Sequence, residues 1–266
     1  MKHETQSQHS VPMNVCANSY EIGMTLAKSI LDKIKTKNAR FLLGCPGGRS
    51  LASTYECLGK IAPKENADFS NLVIVMMDNY VFPKGDSFVH CPAEAHYSCD
   101  RFAHQEIVAL MNKDLAANKH IRPENIWFPN PANPGAYDGK ISTAGGIDLF
   151  LLASGATDGH VAFNPPGSPI DSVCRIIPLP DTTRTDNMGT FPDFKTLDDV
   201  PRFGVSVGLG SISTLSKDVV MVIHGSGKKD ALTRLLSYDS FCADWPATVV
   251  YACKKATIMT DIAAHS

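Results

Sequence analysis

The stretch "NLVIVMMDNYV", residues 71–81, carries an unbroken apolar run from Leu72 to Met77 and then meets Asp78. A strand with one wet face alternates apolar and polar residues. This run does not alternate, which predicts a strand buried on both faces and ending at Asp78. Similar apolar stretches recur along the chain: Phe41–Leu43 in "ARFLLGCPGGRS", Ile147–Ala153 in "GGIDLFLLASG", "DVVMVIHGSG" and "KATIMTD". Between them lie segments with helical spacing. Ile22, Leu26, Ile30 and Ile34 recur every four residues, "LASTYECLGKI" follows the first Gly/Pro loop, and Ile107, Leu110 and Met111 share a face within Phe102–Leu115. "KKDALTRLL" reads as a further helix. Apolar strands alternating with helices predict an α/β fold: a mostly parallel sheet with helices on both faces. Residues 178–203, with four prolines and many polar side chains, read as a long loop.

The 266 residues and 44% hydrophobic content suffice for a large core. With neither a repeat nor a convincing linker, residues 1–266 read as one domain, with 1–12 a loose polar tail. A net charge of −2 gives no electrostatic case for nucleic acid or an anionic membrane. The opening "MKHETQSQHS" has no signal-peptide core, and no run reaches membrane-spanning length. The eight cysteines show no C-x-x-C pair and read as reduced thiols of a cytoplasmic protein.

In a parallel sheet, ligands bind beyond the carboxyl ends of the strands. Gly47–Ser50, Asp78, Asp158–His160 and Gly225–Lys228 each follow an apolar run. Glycines before a helix bring backbone N–H groups to an anion, and Arg49, Ser50 and Lys228 add donors. Neither loop is a P-loop or a G-x-G-x-x-G turn, and each reads equally as an ordinary strand-to-helix connection. Asp78 reads either as a general base or as a structural acceptor. His160 could take and give a proton, with Asp158 fixing its tautomer, or could be a hydrogen-bonded turn residue. No cluster has metal-ligand spacing.

Together, "LLGCPGGRSLASTY", "VIVMMDNYV", "AHYSCDRF", "IDLFLLASGATDGHVAFNPPGS", "TTRTDN", "VSVGLGSI" and "VVMVIHGSGKKDAL" resemble, in order, the glucosamine-6-phosphate deaminase/isomerase family, which shares its fold with 6-phosphogluconolactonases. The resemblance runs from about Ile22 to Asp261. It implies a Rossmann-like α/β fold, no metal or redox cofactor, and a phosphorylated sugar as substrate, and it leaves homo-oligomer assembly open. It implies that Gly48, Arg49, Ser50, Arg184 and Lys228 bind phosphate, that Asp78 moves a proton between C2 and C1, and that His160 opens the sugar ring beside Asp158.

The departures from the family pattern are specific. Pro165 stands where the deaminases place a glutamate that supports the histidine, Asn79 replaces a second acid after Asp78, Arg49 replaces a small residue, and Ile177 replaces a lysine of allosteric control. The implied activity is aldose–ketose isomerisation of an aldose or amino-sugar 6-phosphate, of the glucosamine or galactosamine 6-phosphate type, with ammonia released from an amino sugar. The alternatives are lactone hydrolysis and sugar-phosphate binding without catalysis.

Overall fold

The computed structural model describes residues 11–37 and 39–265. In chain order the elements are β1 (Met13–Cys16), α1 (Ser19–Thr36), β2 (Phe41–Cys45), α2 (Ala52–Ile61), β3 (Leu72–Met76), β4 (Asp78–Lys84) and β5 (Ser87–His90). Next come α3 (Cys99–Phe102), a π-wound segment Ala103–Val108, α4 (Ala109–Asn112), β6 (Ile126–Trp127), α5 (Ala136–Thr143) and β7 (Leu149–Ala153). The chain continues through β8 (Arg175–Pro178), α6 (Asp181–Thr190), β9 (Phe203–Ser206), α7 (Leu209–Leu215), β10 (Val219–Ile223), α8 (Lys229–Leu236), β11 (Ala256–Asp261) and α9 (Ile262–His265).

Seven strands form a parallel sheet in the order β1-β11-β10-β7-β2-β3-β6. All residues of β2, β3 and β10 are buried, as uniform apolarity requires of strands covered on both faces. One core packs α1, α2 and the 99–112 helical segments against Leu43, Ile74 and Leu151. The other sets Val73, Val75 and Phe150 against α5, α7 and α8. Helix α1 starts where the Asn18 side chain accepts a hydrogen bond from the Glu21 N–H, and the Glu21 carboxylate accepts from the Ala17 N–H just before the cap.

Strand β3 ends just before Asp78, as expected, but the chain remains extended beyond it. Met77 passes the chain from the parallel sheet into a second, antiparallel sheet ordered β5-β4-β9-β8, and Asp78 is the first residue of β4, opposite Ser206. The crossing is held by Met77 N–H donating to the Cys45 carbonyl at 3.2 Å and Val207 N–H donating to the Met77 carbonyl at 2.8 Å. This second sheet was not anticipated.

The long loop expected over 178–203 is corrected by α6 and a 3₁₀ turn at Leu197–Asp199, with β8 ending at Pro178 and β9 starting at Phe203. Helix α6, "DTTRTDNMGT", lacks an apolar stripe, so periodicity could not reveal it. Strand β1 and helix α5 were likewise unforeseen. Of the predicted tail, residues 1–10 lie outside the described residues, whereas the Pro12 carbonyl already accepts from Ile258 N–H. The eight cysteines are free, six of them buried. Among the described residues no helix is long and apolar enough to cross a membrane.

Candidate active site

In the parallel sheet β2 and β7 are neighbours, yet the chain leaves β2 toward β3 and β6 and returns through β7 toward β10 and β11. The order reverses between β2 and β7, and a crevice opens beyond their carboxyl ends. A cavity of about 530 Å³ lies there. Its wall takes Gly47–Ser50 after β2, Asp78 after β3, Ser154–Ala156 and His160 after β7, and His224 and Lys228 after β10. Thr185, Asp186, Asn187 and Thr190 of α6 complete it, with Tyr80, Phe163 and Phe191.

Asp78 is 5% exposed. Its Oδ1 accepts from the Cys99 thiol at 3.5 Å. Burial raises its carboxyl pKa to about 7, against lowering contributions from the Cys99 hydrogen bond and the charge of His160. Close packing keeps it so: a Cβ on Gly47 would lie 2.6 Å from Cys99 Sγ and 3.3 Å from Asp78 Oδ1. Asn79 is absent from the cavity wall. Its Oδ1 accepts from the Tyr80 and Cys99 N–H groups and its Nδ2 meets His90 Nδ1 at 3.2 Å, so its amide pins the turn behind the carboxylate.

His160 Nδ1 donates to Asp158 Oδ1 at 2.7 Å, and the same oxygen accepts from His160 N–H. The other oxygen, Oδ2, accepts from Thr182 and Thr183 hydroxyls at 3.0 and 2.7 Å. Burial of Asp158 works to raise its pKa, but the bonds from His160 and Thr183 outweigh it and hold the carboxyl well below the usual range. With Nδ1 committed to Asp158, neutral His160 keeps its lone pair on Nε2. Gly155 makes room for the pair: a Cβ there would fall 2.2 Å from His160 Nδ1.

Of the phosphate residues implied by the resemblance, Gly48, Arg49, Ser50 and Lys228 line the cavity. Gly48 is extended at the start of the 3₁₀ turn Arg49–Leu51. Lys228 Nζ donates to the Ser154 carbonyl at 2.6 Å. Burial lowers its pKa while Asp186 and Asp158 pull it back up. Arg184 is not brought to the cleft. It is 4% exposed, and its guanidinium donates to the Val200 and Leu197 carbonyls and to Asp181. The notion that Arg184 grips phosphate is corrected by this geometry: the side chain ties α6 to the 197–200 turn.

Asp186 was overlooked because it sits in the stretch read as a loop. It accepts from Thr157 N–H and hydroxyl at 3.0 and 2.6 Å, and its Oδ2 lies 3.9 Å from His160 Nδ1. Donor atoms of Asp158, His160 and Asp186 fall within 4.8 Å of one another, a convergence that spacing in sequence could not reveal. Holding a metal there would require breaking the His160–Asp158 bond. The cavity wall also includes Tyr80 and Asn187, whose buried hydroxyl and Nδ2 have no partner.

A family profile described as glucosamine-6-phosphate isomerases/6-phosphogluconolactonase matches residues 17–259. The chain is 31% identical to a glucosamine-6-phosphate deaminase of Malacoplasma penetrans over 88% of its own length and 91% of the relative's. It is 32% identical to one of Rhodococcus opacus over 92% of this chain and 88% of that one. A monomeric glucosamine-6-phosphate deaminase of solved structure superposes with a TM-score of 0.80 at 25% identity, covering 95% of this chain and 98% of that one. A 6-phosphogluconolactonase from Leishmania guyanensis shares the fold, with a TM-score of 0.69 at 14% identity over 96% of this chain and 98% of that one. The profile match and the sequence identities show that the chain belongs to the family of glucosamine-6-phosphate isomerases and 6-phosphogluconolactonases.

Proposed function

We propose that this chain converts an amino-sugar 6-phosphate of the glucosamine 6-phosphate type to the ketose phosphate and ammonia. The observation that carries the reading is Asp78: a buried carboxylate on the cleft wall, raised to about 7 by burial and within the field of His160. A base abstracting a proton at neutral pH works best with such a pKa. His160 Nε2 takes the O1 proton and returns one to the ring oxygen, and the C1–O bond to the ring breaks as the aldehyde forms. Asp78 then removes the C2 proton, O1 of the enolate takes a proton from the substrate's own ammonium group to give the enolamine, and Asp78 delivers its proton to C1. Water hydrolyses the resulting ketimine to ketose and ammonia. Asp158 keeps the imidazole in the tautomer this needs.

Gly48, Arg49, Ser50 and Lys228 hold the phosphate in this reading, and Arg184 holds the fold. Lys228→Ala is therefore expected to raise KM roughly 10- to 100-fold, the loss of one charge-assisted contact. Arg184→Ala leaves the buried Val200 carbonyl without its side-chain donors and is expected to lower stability by about 1–3 kcal/mol. Steady-state kinetics and urea unfolding of both variants check this. A KM effect confined to Arg184→Ala reverses the assignment.

The deciding assay offers glucosamine 6-phosphate, galactosamine 6-phosphate, glucose 6-phosphate and 6-phosphogluconolactone to the purified protein. Ammonia and ketose from an amino sugar, lost in His160→Ala, support the proposal. Lactone hydrolysis alone, lost in the same variant, transfers the site to the hydrolytic branch. Thermal stabilisation by a sugar phosphate without turnover makes the protein a binder.

A further inference from the structure

His160 stands between two carboxylates, and they approach it differently. Asp158 is 6% exposed and accepts four hydrogen bonds, two from His160 itself and two from threonine hydroxyls. It sits behind the ring, and its geometry is fixed by these bonds. Asp186 belongs to α6 and lies on the cavity wall. Its two oxygens are each met by a Thr157 donor, and Oδ2 rests 3.9 Å from Nδ1. That separation exceeds a hydrogen bond, so Nδ1–H belongs to Asp158 and Asp186 acts on the ring through its charge.

We propose that Asp186 is a second positioning carboxylate for His160, stabilising the imidazolium that forms when the ring of the bound sugar opens; this rests on the reaction proposed above. Proton movement follows directly. The O1–H proton passes to Nε2, giving an imidazolium flanked by two anions. The Nε2 proton then passes to the ring oxygen as the bond from C1 breaks. Neither carboxylate changes protonation state. Asp186 has a mechanical task as well: the paired Thr157 donors fasten the 154–160 loop to α6, so the element closing the cleft also sets the histidine's surroundings.

Asp186→Asn keeps the shape and an acceptor for Thr157 while removing the charge. The other charged or titratable groups around the ring, Asp158, Asp78, Lys228, Arg49 and His224, stay in place. Two readouts separate a positioning role from a merely structural one. The first is titration of His160 by nitrogen-15 NMR, with the resonance assigned by its loss in His160→Gln. The titration midpoint is expected to move to lower pH in Asp186→Asn, as loss of a nearby negative charge requires.

The second readout is the kinetic isotope effect with glucosamine 6-phosphate deuterated at C2. If ring opening is slowed, kcat/KM falls roughly 10- to 100-fold and the isotope effect shrinks toward unity, because proton abstraction ceases to limit the rate. An unmoved His160 titration overturns the proposal whatever the rates do. A slower enzyme with an undiminished isotope effect overturns it too, since the lost step is then not ring opening. If the wild-type protein turns over no sugar phosphate, the reaction reading fails by itself. The titration then decides whether Asp186 is coupled to His160.

Discussion

Asp78→Asn is expected to give a protein without proton transfer at C2 that is nevertheless more stable than wild type above neutral pH. The unperturbed carboxyl value is 3.8, and the folded environment raises it to about 7 through burial. Between these values the folded chain retains a proton that the unfolded chain has released. Stability therefore declines as pH rises from about 4 to 7, and the full cost of the buried charge is present above 7. A shift of this size corresponds to at most ~4 kcal/mol, at about 1.4 kcal/mol per unit.

Asparagine has no charge to bury. The two proteins should have equal stability near pH 4 and diverge steadily until pH 7, with the variant ahead. Urea unfolding of both at several pH values between 4 and 8 measures the gap, and parallel curves would mean that the native carboxylate is well solvated. The same substitution removes the base, with an expected loss in kcat of about 10²- to 10⁴-fold. In wild type, kcat/KM should fall on the acid side of about pH 7 as Asp78 takes up its proton. Stability and chemistry thus pull in opposite directions at one residue, as expected where a site needs a strained charge.

The parallel sheet was legible because its strands are apolar at every position: Leu72–Met76 and Val219–Ile223 can sit only where both faces are covered. Motif order then placed Gly48–Ser50, Asp78, Asp158, His160 and Lys228 on one cleft; in the structure all of these but Asp158 line the cavity, and Asp158 reaches it only through its bond to His160 Nδ1. What could not be read lies where the signal is tertiary. Strand β4 merges with β3 in sequence because Met77 continues the apolar run, and only the partner strand β9 distinguishes the two.

Helix α6 turns polar residues toward the cleft on one side and buries Thr183 and Arg184 on the other, so its composition mimics a loop. The resemblance, not the loop, gave Arg184 to phosphate, whereas its partners here are the Leu197 and Val200 carbonyls. The loop reading had its own consequence. Asp186 was passed over, and Pro165 looked like an unfilled vacancy beside His160. The second carboxylate comes instead from a helix 26 residues further along, a difference plain from the numbering of His160 and Asp186.

Gly159→Ala is expected to be among the most damaging single-methyl additions to this fold. Gly159 adopts φ +67°, a region that disfavours side chains, and an added Cβ would stand 2.4 Å from the Trp245 ring. That ring cannot step aside. It is 2% exposed, packed in the second core with Arg234 at 4.3 Å from its centroid, and the Ala247 N–H that follows it donates to the Gly159 carbonyl at 2.8 Å. The left-handed backbone costs about 1–2 kcal/mol and overpacking a further 1–3 kcal/mol. The expected loss is therefore ~2–5 kcal/mol, a large share of a typical domain's stability.

Gly167 supplies the control, with φ +86° and nothing within 4 Å of an added Cβ. Gly167→Ala should show the backbone contribution alone, so the difference in urea stability between the two variants isolates the clash with Trp245. Equal losses would mean that the indole yields and that Gly159 is required only for its dihedral. Because Gly159 lies between Asp158 and His160, relief of the clash by a shift of this turn would also lengthen the 2.7 Å bond that orients the imidazole. Loss of activity in whatever fraction remains folded should therefore accompany the loss of stability. Gly167→Ala should leave turnover intact.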